Sequence, residues 1–178
     1  YPNAGQIPIH RMSWRGAALY CNWLHHDKTS NWQTIQSGAY DTSTFVINPD
    51  ASFTDQVTRS PGARYWIPSF DEWLKATHYD PNKDGTGGWW DQPNGTNTPL
   101  LSGLPGQGQT SAGIPDLLDA LRIPVGSYPE VTTPWGLLDA SGSAGEWTED
   151  LAYTAFGILS GRVFAGSSVT DTSSLYRD

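Results

Sequence analysis

The chain has 178 residues, a formal net charge of −8 and only ten Lys and Arg. So few cations argue against nucleic acid and anionic membrane surfaces, which are held through basic patches. The single cysteine, Cys21, excludes an internal disulfide, a Cys-x-x-Cys redox pair and a multi-cysteine zinc site.

The first predicted element is a helix over "SWRGAALYCNWLHH". Ser13 is placed to cap it, and Trp14, Ala17, Ala18, Cys21 and Leu24 recur at helical spacing. Cys21 falls on that apolar stripe and reads as a small buried hydrophobe rather than a reactive thiol. Residues 27–64 are polar, with one β-like run, "STFVI", and read as an insertion over the surface. In "RYWIPSFDEWLKATHYD" the pair Ser69 and Glu72 forms a capping box. It opens a second helix that ends near Tyr79, because Pro81 follows.

Residues 80–113 are rich in Gly, Pro, Asn and Thr and predict few regular elements. "DPNKDGTGGWWD" matches the spacing of a calcium loop, with Asp80, Asn82 and Asp84 side by side and Asp91 in the twelfth position. The competing reading is a glycine-rich turn that ends a helix. Trp89 and Trp90 stand in the same stretch, beside Asp and Asn residues that suit sugar or peptide recognition; packing into the core is the alternative. "IPDLLDALRI" predicts a short helix, "IPVGSYP" and "GRVFAGSS" short strands. No apolar run approaches the roughly 20 residues that cross a bilayer, so direct membrane insertion is not expected. With 19 Gly and 13 Pro, the pattern is α+β: two helices, short strands and long loops.

Five blocks occur in a telling order: "IPIHRMSWRGAALYCNWL", "RYWIPSFDEWLKATHY", "PVGSYPE", "WGLLDASGSAGEWTED" and "GRVFAGSS". Together they resemble the successive signatures of the formylglycine-generating enzyme (sulfatase-modifying factor) family. The resemblance implies a C-type-lectin-like fold and a single domain over residues 1–178, without the family's opening strand region and closing G-F-R strand.

It also carries expectations about chemistry. The family's enzymes oxidise a cysteine of a sulfatase to formylglycine, using two cysteines, copper and dioxygen. Their cysteine positions fall on Thr170 and Leu175. Neither supplies the thiolate that copper(I) selects, so no copper and no catalytic residues are expected. The family's calcium ligands map onto Asp139, Gly142, Ala144 and Glu146. Two carboxylates seven residues apart in a loop of small residues suit a hard cation that takes roughly 6–8 oxygens; a plain acidic turn is the alternative. Gly145 stands where the family has the first Trp of W-E-W, and Ser143 where it has Asn. Trp147 is expected to anchor the loop's exit in the core.

The reading that follows is a non-catalytic, calcium-stabilised binding or structural module, secreted or in a bacterial cell envelope. Its partner would be a protein or carbohydrate ligand. The rivals are a divergent metal-dependent oxidoreductase and a self-assembling subunit of a surface layer or filament.

Overall fold

A computed structural model describes residues 4–49, 53–142, 144–153 and 159–167. The architecture is α+β, with short strands and long loops, as the composition predicts. Helix α1 spans Trp14–His25, and the Ser13 hydroxyl accepts the Gly16 N–H at 3.1 Å, the expected cap. Its apolar stripe is the buried face: Trp14, Ala18 and Cys21 pack with Ala39, Tyr40 and Ile67. Helix α2 spans Phe70–His78, with Asp71 and Glu72 in its first turn and Lys75 and His78 in its last. That placement of charge complements the helix dipole. The Asp150 carboxylate accepts the Phe70 N–H at 2.6 Å. Helix α3, Leu117–Ala120, is one turn, started by Asp116, whose carboxylate accepts the N–H groups of Leu118 and Asp119.

Strands β1 (Tyr79–Asp80) and β2 (Gly88–Trp89) pair antiparallel with Tyr79 opposite Trp89. Strands β3 (Glu146–Tyr153) and β4 (Leu159–Ala165) form a second two-stranded sheet. Two predicted strands are not strands. "IPVGSYP" is a turn, because Gly126 takes φ 74° and prolines at 124 and 129 remove ladder donors. "STFVI" begins in a 3₁₀ turn, Thr42–Thr44, that the Asp41 side chain caps through the Ser43 N–H. The local Asx bond holds the start of the run out of a strand, and its end is β-like only at Ile47, which pairs antiparallel with Phe53 as an isolated bridge.

The chain divides into two compact units. The first draws on the described residues of Tyr1–His10, Asp71–Glu146 and Ala165–Asp178. Its core is Ile114, Ala120, Ile123, Tyr128 and Val131, flanked by Leu100 and Leu121. The second comprises Arg11–Phe70 and Trp147–Phe164 and holds the α1 core. There the Trp147 indole donates to the Met12 carbonyl at 2.8 Å and packs against that core, the anchoring role expected of it.

A buried polar network runs through the second unit. Glu149 accepts the Tyr40 hydroxyl at 2.7 Å and the Arg59 N–H at 2.6 Å, and pairs with the Arg59 guanidinium at 3.3 Å. The Arg162 guanidinium lies 3.8 Å from the Trp14 ring centre and donates to the Gln56, Val57 and Glu149 carbonyls. Burial pushes the Cys21 thiol up to about 11, and the charge of Glu149 adds to the shift. Since the thiolate is the nucleophile, Cys21 should resist iodoacetamide at pH 8 in the native protein and react fully in urea. Mass spectrometry of the alkylated chain reads both; rapid native labelling would contradict a buried, inert thiol.

Candidate metal centre

The loop that enters β3 lies in the first unit and is built from small residues around two carboxylates. Asp139 takes φ 58°, a left-handed conformation that Asp tolerates better than most residues. Its Oδ2 accepts the Gly126 N–H at 2.6 Å. The Ser141 hydroxyl lies 2.9 Å from the Ser167 hydroxyl and 3.2 Å from that of Thr110. Gly142 is buried at φ 90°, and its N–H donates to the carbonyl and hydroxyl oxygens of Ser167, both at 2.9 Å. A Cβ at this position would sit 2.6 Å from Ser111 Oγ and 2.7 Å from Thr110 Oγ1, so only glycine fits. Ala144 and Gly145 are half-buried. Ser143 lies outside the described residues.

Glu146 closes the loop. Its Oε2 is buried and accepts no hydrogen bond among the described residues. Burial pushes its carboxyl up to about 8, against a smaller lowering by its own backbone N–H and with a contribution from the charge of Asp139, so the two acids feel one another. A buried carboxylate oxygen without a donor is costly, and a second carboxylate nearby makes it costlier. A hard divalent cation removes both costs, because it takes carboxylate and carbonyl oxygens together. The donor set therefore fits calcium. Asp139 and Glu146 would supply the charge, and Gly142 and Ala144 carry the backbone carbonyls that the family pattern assigns.

The site's surroundings were not identified from the sequence. Gly126, Thr110, Gly166 and Ser167 hold the loop, and three of them sit in the blocks "PVGSYPE" and "GRVFAGSS". Their signal was the resemblance itself, since neither block shows a reason for its glycine until folded. Gly166, at φ 77°, lies directly under the Glu146 carboxylate: a Cβ there would strike Glu146 Oε2 and touch Trp73 at 3.5 Å. Gly166→Ala should therefore lower the melting temperature and weaken calcium stabilisation together. Equal calcium-induced shifts in the variant and the parent chain would remove Gly166 from the site.

The other candidates are placed differently. Asp80 is engaged twice, accepting the Asn82 N–H at 2.8 Å and the Trp90 indole N–H at 3.2 Å. The Lys83 ammonium bonds the Trp89 carbonyl and covers the Trp90 ring at 3.9 Å. Among the described residues no group of three or more His, Cys, Asp or Glu is placed to hold a metal. Asp80, Asp84 and Asp91 thus do not converge, and the turn is organised by Asp80 and Lys83 instead. Trp89 is exposed, edge-on to Tyr79 at 5.1 Å, while Trp90 is half-buried under Lys83. Thr170 and Leu175 lie outside the described residues. In the second unit a cleft of about 340 Å³ is bordered by Val57, Thr58, Ser69 and Tyr153. Glu149 and Asp150 also face it, but both are already hydrogen-bonded within the fold.

Three helices, short antiparallel strands and long loops make an α+β architecture, consistent with a C-type-lectin-like fold. The family model of the sulfatase-modifying factor enzyme 1-like domain matches residues 1–178, and the chain belongs to that family. Comparison with curated proteins and with solved structures gave no match. Among the described residues no helix is long and apolar enough to cross a membrane.

Proposed function

We propose that this domain is a non-catalytic member of its family, a calcium-stabilised module that binds a partner outside the cytoplasm or in the cell envelope. The observation that carries the calcium reading is the Glu146 carboxylate. Its buried Oε2 has no protein donor among the described residues, and it faces the charge of Asp139. Absence of the family's oxidation chemistry is supported by residue types. By the resemblance the two redox-cysteine positions fall on Thr170 and Leu175, and Cys21, the one cysteine of the sequence, is buried on α1. A hydroxyl and an alkyl group hold no copper(I).

Bound calcium would hold the loop between Asp139 and Glu146 in one shape, and the chain's own residues do the rest. Gly126 orients Asp139, Ser167 fixes the peptide at Gly142, and Gly166 leaves room for the Glu146 carboxylate. Metal analysis of the purified protein, with melts in calcium, magnesium and chelator, tests the reading. The expected result is calcium alone, with a higher melting temperature in calcium than in chelator. Stoichiometric copper or iron would overturn it in favour of an oxidoreductase.

A further inference from the structure

The histidine pair that ends α1 belongs to the second unit and is used by neither the calcium loop nor the Glu149 network. His25 and His26 are half-buried and stand edge to face, with 5.0 Å between ring centres. His26 Nε2 lies 3.0 Å from the Ser37 carbonyl, so it donates. A second proton on that ring goes to Nδ1 and leaves the bond as it is. His25 is wired the opposite way. Its Nδ1 accepts the Arg64 backbone N–H at 3.2 Å, and a ring nitrogen accepts only while it carries no proton. The neutral His25 ring therefore holds its proton on Nε2.

Arg64 is fastened to the same turn twice more. Its guanidinium donates to the His25 carbonyl at 3.2 Å and pairs with the Asp27 carboxylate at 2.9 Å. The turn is fixed in its own right: Asp27 and Lys28 take φ of 52° and 62°, and the Lys28 N–H bonds the Trp23 carbonyl. Gly38 closes the other side, where a Cβ would lie 3.1 Å from His26 Nε2 and 3.2 Å from His25 Cδ2, so the rings have little room to turn away. The charges facing His25 are those of His26 and Asp27 on its own turn and of Arg64 opposite; Ser37 and Gly38 bring none. Lys28 is drawn over the Trp23 ring at 5.9 Å, and the Tyr65 ring lies 5.9 Å from the Arg64 guanidinium. The segment that carries Arg64 is anchored at both ends, by the Arg59 N–H on Glu149 and the Ile67 N–H on the Tyr40 hydroxyl oxygen.

We propose that His25 is a proton-operated latch: protonation turns its Nδ1 from an acceptor into a donor facing the Arg64 N–H, sets a second cation beside the Arg64 guanidinium, and releases the segment between Arg59 and Ile67 from the end of α1. His26 keeps its bond to Ser37 in both states. The exposed Tyr65 and Trp66 ride on the released segment, so acid changes the surface that they present. The latch does not depend on how the calcium loop is read.

NMR of the whole chain in calcium tests it between about pH 8 and 5, the span in which histidine changes charge. At the upper pH, long-range proton–nitrogen spectra should show His25 protonated at Nε2 and bare at Nδ1; the opposite tautomer would overturn the latch. The protection of the Arg64 N–H against hydrogen exchange, corrected for the intrinsic rate, should fall about three- to tenfold on acidification, as loss of one hydrogen bond does. His25→Gln, whose side-chain oxygen accepts at every pH, should hold that protection level. His26→Gln should keep the parent's response. Unchanged protection in the parent chain sinks the proposal, as does the parent's response surviving in His25→Gln or vanishing in His26→Gln alone. Tautomer and exchange in the parent chain decide the case if a variant is unstable.

Discussion

Replacing Glu146 with Ala should remove the stabilisation that calcium gives and change little in chelator. With calcium about a hundredfold above its dissociation constant, a site that binds only the folded chain contributes about 2.7 kcal/mol. In a domain of this size that corresponds to about 5–10 °C of melting temperature. Glu146→Gln adds a sharper readout. In the metal-free fold burial holds this carboxyl at about 8, far above its ordinary value of 4.5, because the charged form is disfavoured. The folded state therefore retains a proton that the unfolded chain has lost, and the linked stability is complete below about pH 4.5. It is lost as pH rises through about 8, by an amount on the order of a few kcal/mol. In chelator the parent chain should weaken between those pH values while Glu146→Gln stays level. In calcium at pH 8 the order should invert. Melts across pH with and without chelator check all four arms; a loss in Glu146→Ala that is the same in calcium and chelator would exclude a ligand role.

Replacing Glu149 with Ala should be the most damaging single change in the second unit. The carboxylate is 4% exposed and joins the Tyr40 hydroxyl, the Arg59 backbone and the Arg59 guanidinium, with its own carbonyl held by Arg162. The Arg59 guanidinium keeps the Trp66 face and water, so the loss falls on the buried Tyr40 hydroxyl and the Arg59 N–H, at about 1–3 kcal/mol for each buried donor left unsatisfied. That is a large share of the roughly 5–15 kcal/mol that holds a domain folded. Tyr40→Phe should cost less, about 1–3 kcal/mol, since it strips one hydroxyl that donates to Glu149 and accepts the Ile67 N–H. Urea unfolding ranks the two, and iodoacetamide labelling of Cys21, which packs in the same core, should accelerate in Glu149→Ala. An unchanged urea midpoint for Glu149→Ala would mean that the network carries no net stability.

The legible parts of this molecule are those written in local periodicity. Ser13 capped its helix as read, the stripe from Trp14 to Cys21 became the core face, and the chain turned out of α2 just before Pro81. The short strand at "GRVFAGSS" also forms. Elsewhere local hydrogen bonding overrode the signal: Asp41 drew the start of "STFVI" into a 3₁₀ turn and left only Ile47 to pair, as a bridge with Phe53, and Gly126 diverted "IPVGSYP" into a bend that serves Asp139. The calcium-like spacing of Asp80 to Asp91 was equally visible and equally local, yet Asp80 is taken up by the Asn82 N–H and the Trp90 indole, and Lys83 by the Trp89 carbonyl and the Trp90 ring. The Asp139–Glu146 loop was legible as a candidate through the resemblance, but the reasons for its glycines were not. Gly142 is required by Thr110 and Ser111, some thirty residues earlier, and Gly166 by Glu146. Contacts of that range have no periodic trace.

The interleaving of segments sets the order in which this chain can acquire its structure during synthesis. The Trp14 indole finds its partner, the Thr148 carbonyl, 134 residues later. Gly142 waits a further 25 residues for Ser167. Helix α1 therefore leaves the ribosome with its indole unsatisfied, whereas every member of the core around Ile114 and Val131 has been made before β3. A nascent chain stalled before residue 146 should therefore lack the long-range bonds of Trp14 and Gly142, contacts whose sequence separation delays them to the end of synthesis.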